Sequence, residues 1–250
     1  MICKVINVNN RINLTLLIYF FNKNIMDNKQ ESIPYNTTSI INKEPLSKEE
    51  IERYCRQMLL SEIGSEGQLK LKESKVLVIG AGGLGAPCLL YLSGAGIGKI
   101  GIIDGDVVDT SNLHRQVIHN TPNKGLSKSK SAAQAVQLLN PFISITTYEE
   151  HLTRNNCLEV CSKYDLLIDC SDNPATRYLA SDVAVILNIP LVSGSAVKWE
   201  GQLTVYVNDS TNKNEKTDIP CYRCMFPTAT PASAVCNCSD AGVFGLELSF

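Results

Sequence analysis

At 250 residues the chain has room for one large domain with a complete core, or one domain and an appendage. Hydrophobic residues make up 44% and charged residues 19%, which excludes a wholly disordered chain. The net charge is −2 and no basic block occurs, so nucleic acid is not expected as a direct partner. Ten scattered cysteines do not make a small disulfide scaffold. They suit a reducing, cytosolic setting, where thiols serve as core residues, metal ligands or nucleophiles.

Taken in chain order, Ile12–Phe21 is apolar but much shorter than the roughly 20 residues a membrane helix needs. No small-residue cleavage site follows it, so neither secretion nor membrane association is expected. Residues 1–45 are expected to be a disordered or mispredicted leader, with Met26 as an alternative start; the part from 22 on is rich in Asn, Lys, Ser and Thr. The folded unit is placed at 46–250. Ser47 and Glu50 form a helix-capping pattern, which predicts a helix through Ile51–Leu60. Gly64–Gly67 should break it, and Gln68–Glu73 should add a short helical turn. Lys75–Ile79 reads as a strand buried on both faces.

The glycine run Gly80–Gly85 follows, then a helix over Ala86–Ala95 with Pro87 tolerated in its first turn. Strands are predicted at Lys99–Asp104, Ile143–Tyr148, Asp165–Asp169 and Pro190–Ser193. Helices are predicted at 125–140, ended by Asn140-Pro141, and at Asn155–Ser162 and Pro174–Leu187. Gln202–Val207 alternates as a strand does, and Asn208–Asp218 reads as a mobile polar loop. Alternating strands and helices predict an α/β fold: a Rossmann-like, doubly wound, mostly parallel sheet, here with a cysteine knuckle and a crossover loop.

A buried strand leading into Gly80-Ala-Gly-Gly-Leu-Gly85 and then a helix is the setting of a nucleotide-binding loop. Gly80, Gly82, Gly83 and Gly85 allow close backbone approach, and a helix N-terminus offers free N–H groups to phosphate. At this point NAD, FAD and ATP all remain open. Asp104, at the end of the next strand, suits a ribose hydroxyl in any of them. Asp106 lies two residues on, so on extended backbone it points the same way; it can orient basic groups or sit near a metal. Ser111, Asn112 and Arg115 follow on a turn, and Lys128 opens the next helix. Two cations with extra polar groups suit a triphosphate and a departing pyrophosphate better than a redox dinucleotide.

These segments, in order, carry a resemblance. RYCRQMLL, GAGGLG, the D-x-D…SNLHRQ run, GLSKSKSA, DCSDN, PLVSGSAVKWEGQLTVY and PCYRCMFP resemble the MoeB/ThiF superfamily of ubiquitin-like-protein activating enzymes. The final segments are most similar to its eukaryotic branch that serves molybdopterin synthase and the ubiquitin-related modifier of tRNA thiolation. The resemblance implies ATP-dependent adenylation of the C-terminal glycine of a small sulfur carrier ending in Gly-Gly. It implies Gly83 against the nucleotide, Asp104 on the ribose, and phosphate contacts from Asn112, Arg115 and Lys128 within the run Ser111, Asn112, Leu113, His114 and Arg115. It implies Mg²⁺ at Asp172, with Asn173 beside the nucleotide. Arg56 matches an arginine that reaches a partner subunit's site, which implies a homodimer.

Cys221 and Cys224 form a C-x-x-C knuckle whose prolines, Pro220 and Pro227, favour zinc over a thioredoxin-type motif. By resemblance, Cys238 is the thiol that attacks the acyl-adenylate or takes part in sulfur transfer, with a cysteine desulfurase as the indirect sulfur donor. The family supplies a second C-x-x-C pair and, in some members, a rhodanese-like domain. Neither follows here, so an incomplete C-terminus is expected, and an inactive fragment or binding module is one alternative. An NAD(P)-dependent oxidoreductase is another; it leaves Asp172, Arg115 and the knuckle unexplained.

Overall fold

The computed structural model describes residues 6–7, 45–197, 200–207 and 220–228. Its elements are β1 (Ile6–Asn7), α1 (Lys48–Met58), α2 (Gly64–Glu73), β2 (Lys75–Ile79), α3 (Gly85–Ala95), β3 (Lys99–Ile103), α4 (Lys128–Leu139), β4 (Ser144–Tyr148), α5 (Cys157–Cys161), β5 (Leu166–Asp169), α6 (Pro174–Leu187), β6 (Leu191–Val197), β7 (Glu200–Tyr206) and α7 (Tyr222–Met225). They build one sheet in the order β1-β7-β6-β5-β2-β3-β4. Strands β6, β5, β2, β3 and β4 run parallel; β7 is antiparallel to β6, and β1 to β7. The chain winds outward from β2 through β3 to β4, then returns to the other side of β2 as β5. The order therefore reverses beside β2, which is where open α/β sheets bind ligands.

Strand alternation divides the core in two. Val76 and Val78 of β2 join Ile100 and Ile102 of β3 under α3 and α4, with Leu89, Leu92, Ala132 and Val136. Leu77 and Ile79 face the other way and meet Ile103, Leu167, Val160, Cys161, Val183 and Ala184 under α5 and α6. A strand with apolar side chains on both faces requires helices on both faces, and the sheet is doubly wound for that reason.

The expected bounds hold with instructive shifts. The capping box at α1 is present: Ser47 Oγ accepts from Glu50 N at 3.2 Å, and Glu50 Oε2 accepts from Ser47 N at 2.8 Å. The helix therefore starts at Lys48, three residues before Ile51. Gly64 begins α2 rather than ending a helix; its φ of +54° marks the turn between the two. Strand β6 runs on to Val197 because β7 pairs with it along its whole length. Gly96 closes α3 at φ +86°, and a Cβ there would lie 2.6 Å from the Tyr54 ring, so turn and packing both demand glycine. The loop 208–218 and the cysteines Cys236 and Cys238 lie outside the described residues, as does the expected leader apart from β1 and Pro45. No helix among the described residues is long and apolar enough to cross a membrane.

Asn140 joins three elements at the end of α4. Its Nδ2 donates to Tyr54 Oη and to Ser93 O, both at 2.7 Å, and its Oδ1 accepts from Phe142 N at 3.2 Å. The side chain is fully buried, so water has no access to replace these bonds. Asn140→Ala is expected to destabilise the chain by about 2–4 kcal/mol, since it leaves a buried carbonyl, a phenol and an N–H short of partners. Urea unfolding measures this; a loss under about 0.5 kcal/mol would contradict it.

Candidate nucleotide site

The glycine loop leaves β2 and folds back across the end of β5. Gly80 has φ +96°, and a Cβ on it would lie 2.9 Å from Cys170 O; a Cβ on Gly85 would lie 2.0 Å from Gly80 O. No other side chain fits these two positions without opening the loop. Gly82 and Gly83 sit between them on the wall of a cavity of about 1170 Å³. Beyond Gly85 the first turn of α3 does not offer the free N–H groups expected from the sequence: Ala86 N donates to Gly82 O at 2.9 Å, Cys88 N to Leu84 O at 3.4 Å, and Pro87 has no N–H.

Asp104 follows β3 and is buried. Its Oδ2 accepts from Ala81 N at 2.7 Å and its Oδ1 from Asp106 N at 2.8 Å. It thus pins the glycine loop to the end of β3. A carboxylate has about four acceptor sites, so capacity for a ribose hydroxyl remains. Asp106 Oδ2 accepts from Lys128 Nζ at 2.7 Å. Lys128 is buried, and its backbone N–H also donates to Asp106 O at 2.9 Å. His151 Nε2 approaches Asp106 Oδ1 at 3.8 Å.

The polar turn is held from within. Asp109 accepts from Ser111 N at 2.8 Å and Ser111 Oγ at 2.5 Å. These hydrogen bonds hold the Asp109 carboxyl below its usual range. Arg115 Nη2 donates to Asn112 Oδ1 at 2.7 Å. Asn112, Arg115, Lys128, Asp172 and Asn173 line the cavity together with Asp104 and Asp106. Ser111, Leu113 and His114 lie outside that lining; His114 Nδ1 meets Ser111 O at 2.9 Å, inside the turn. Asp172 is exposed, and it follows β5. Its neighbour Asn173 caps α6: Asn173 Oδ1 accepts from Ala175 N at 2.8 Å. Arg56 lies on the exposed side of α1, away from this cavity.

Four polar residues that the sequence pattern did not single out hold this floor. His119 is buried; its Nε2 lies 2.9 Å from Ala81 O and its Nδ1 2.9 Å from Ser131 Oγ on α4. Burial holds its pKa below the ordinary value. Gln116 is buried beside Gly82, with its Oε1 unpartnered. Asp169, wholly buried, pairs with Arg177 at 3.3 Å. An aspartate ending the apolar run DLLID was the available signal: a buried carboxylate needs a cation or donors.

At the other end of the cavity, α7 packs on α6. Arg223 grips Asp182 at 2.6 and 3.0 Å and lies 4.9 Å above the Tyr178 ring. The Sγ atoms of Cys221 and Cys224 are 3.5 Å apart. Burial pushes the Cys221 thiol up, but hydrogen bonds from Cys224 and neighbouring N–H groups outweigh it and hold the pKa below its ordinary value. Two thiols at this spacing fit two corners of a zinc tetrahedron. Among the described residues no group of three or more metal-binding side chains occurs.

A strand, glycine loop and helix at a sheet's switch point, with an acid after the next strand, define a Rossmann-like nucleotide-binding domain. The chain belongs to the ThiF family, which it matches over residues 54–249. It is 52% identical to the adenylyltransferase and sulfurtransferase uba4 of Aspergillus niger over 201 residues, which are 80% of this chain and 42% of that protein. It is also 52% identical to UBA4 of Lodderomyces elongisporus over 206 residues, 82% of this chain and 44% of that one. The chain thus spans less than half the length of these curated relatives. Among solved structures, PaaA matches with a TM-score of 0.61 at 26% identity, over 81% of this chain and 63% of its own. The E. coli tRNA N6-threonylcarbamoyladenosine dehydratase TcdA, in complex with ATP, matches with a TM-score of 0.59 at 27% identity, over 62% and 63%.

Two outcomes follow from this geometry. Gly85→Ala is expected to cost about 1–3 kcal/mol of stability by overpacking and to weaken nucleotide binding. Gly94→Ala, on helical backbone where a Cβ meets nothing within 4 Å, should leave nucleotide binding unchanged and add up to about 1 kcal/mol of stability. Urea unfolding and titration with a fluorescent ATP analogue distinguish the two. As pH falls below 6.5, the unfolded chain takes up a proton that folded His119 resists, so stability declines. Urea midpoints at about pH 7.5 and about pH 5.5 should show this decline, and His119→Gln should make it shallower; an equal decline in both proteins would contradict the assignment.

Proposed function

We propose that this chain adenylates the C-terminal glycine of a ubiquitin-like sulfur-carrier protein, using ATP. The observation that carries this reading is the convergence of Asn112, Arg115, Lys128 and Asp172 around one glycine loop at the switch point of the sheet. The names of its half-identical relatives, which are adenylyltransferases and sulfurtransferases, support it. So does the ATP complex of a structural neighbour.

A glycine carboxylate is ionised at about pH 7, so its attack on the α-phosphorus needs no general base. An oxygen–phosphorus bond forms, the bond to the β-phosphate bridging oxygen breaks, and pyrophosphate leaves. The chain's contribution is alignment and charge. Gly82 and Gly83 let the phosphates approach the backbone, and Asp104 receives the ribose. Arg115 and Lys128 face the charge that gathers on the departing pyrophosphate. The exposed Asp172 carboxylate on the cavity wall fits Mg²⁺, which is commonly held by one or two carboxylates plus substrate phosphates. When bound there, Mg²⁺ would neutralise phosphate charge. In this reading Arg56 completes the site of a second copy, making the working unit a homodimer. The acyl-adenylate then passes to sulfur chemistry at Cys238, for molybdenum cofactor synthesis and tRNA 2-thiolation in the cytosol. Cys221 and Cys224 contribute half of a structural zinc site.

ATP–pyrophosphate exchange tests this directly. The 250-residue chain with a Gly-Gly-ended ubiquitin-like sulfur carrier is expected to exchange label into ATP. Lys128→Ala and Asp172→Asn should each lower the rate about 100-fold or more. Exchange that ignores the carrier, or NADH binding with no exchange, would overturn the proposal.

A further inference from the structure

Asp172 makes no hydrogen bond among the described residues, yet the proposed reaction needs its carboxylate at a fixed place. Its neighbours fix it. Asn173 is tied down by its cap on α6, and Ser171 by Asp169 and Arg177. Asp169 Oδ1 accepts from Ser171 N at 3.0 Å and Ser171 Oγ at 2.6 Å. Its Oδ2 accepts from Ser193 Oγ at 2.9 Å and from Arg177 Nε at 3.3 Å. Arg177 then reaches past the carboxylate: its Nη2 donates to Ser171 O at 2.9 Å and to Gly194 O at 3.1 Å. One guanidinium near the start of α6 thus bridges the segment just past the end of β5 and the middle of the parallel strand β6. Ser171 leads into Asp172, and Gly194 leads into Ser195 and Ala196, which line the same cavity.

We infer that Arg177 is a positioning residue for the adenylation site: it fixes Asp172 relative to the β6 wall through Ser171 and Gly194. This deepens the proposed function and rests on it. The fork geometry is what matters. A lysine ammonium can replace the charge opposite Asp169 but cannot also span two carbonyls on separate strands. In the Arg177→Lys variant the core ion pair survives and Asp172 loses its reference to β6.

The test is the affinity of the 250-residue chain for ATP, by calorimetric titration, with and without Mg²⁺. Arg177→Lys is expected to raise the Kd of Mg·ATP about tenfold while the Kd of metal-free ATP stays within about twofold. Ser193→Ala, which removes one bond to Asp169 and leaves the arginine, should move Mg·ATP affinity the same way by about threefold. It decides the matter if the lysine variant does not fold. A merely structural role would weaken both forms of ATP equally, and that result, or no change in either, overturns the inference while leaving the proposed function standing. Absence of ATP binding by the unaltered chain overturns both.

Discussion

The structure depends on how closely the chain crosses itself where β2 and β5 end. At Gly80 and Gly85 backbone meets backbone with no space for a side-chain carbon. From that crossing, short contacts carry position outward. Asp104 holds Ala81 from the end of β3, and His119 holds the carbonyl of the same residue. His119 also touches Ser131, one turn along α4 from Lys128. The cation is therefore located relative to the glycine loop through two buried side chains, His119 and Ser131, and one helix.

Charge is distributed unevenly over the two ends of the sheet. The middle of β2, β3 and β5 is apolar, whereas buried Asp104 and Asp169 lie at or just past the carboxyl ends of β3 and β5, and buried Lys128 lies at the start of α4. Taking such groups from water costs several kcal/mol each, and their pairings offset that cost rather than add stability. Hydrophobic residues at these positions would pack as well. The polar groups fix the relative placement of strand ends, which apolar contact does only loosely. Arg177 shows the difference: it joins β5, β6 and α6 by direction as well as by charge.

Much of this was legible in the sequence because it is local. The Ser47–Glu50 capping box, the α6 span from Pro174 to Leu187 and the double-sided strand Lys75–Ile79 each declare themselves within a few residues. The glycine loop and the D-x-D run do so as well. What escaped was non-local. Nothing near Arg177 in sequence says that Gly194 will lie beside it, since that contact exists only once β5 and β6 are neighbours. His119 was hidden for the same reason, because its partners are 38 residues behind and 12 ahead. The length of β6 depended on β7 pairing with all of it.

The ion pair between Lys128 and Asp106 has a consequence for any anion that enters. The lysine already holds a carboxylate, so an arriving phosphate meets a filled bond, not a bare charge. Binding at that point is an exchange of one anion for another, and Asp106, more than half exposed, has solvent to turn toward. A singly charged visitor gains little from such an exchange. A group with several negative oxygens can engage Lys128 and Arg115 together, which one carboxylate of the chain does not do. An internal counterion of this kind would favour ligands of high charge density over singly charged ones.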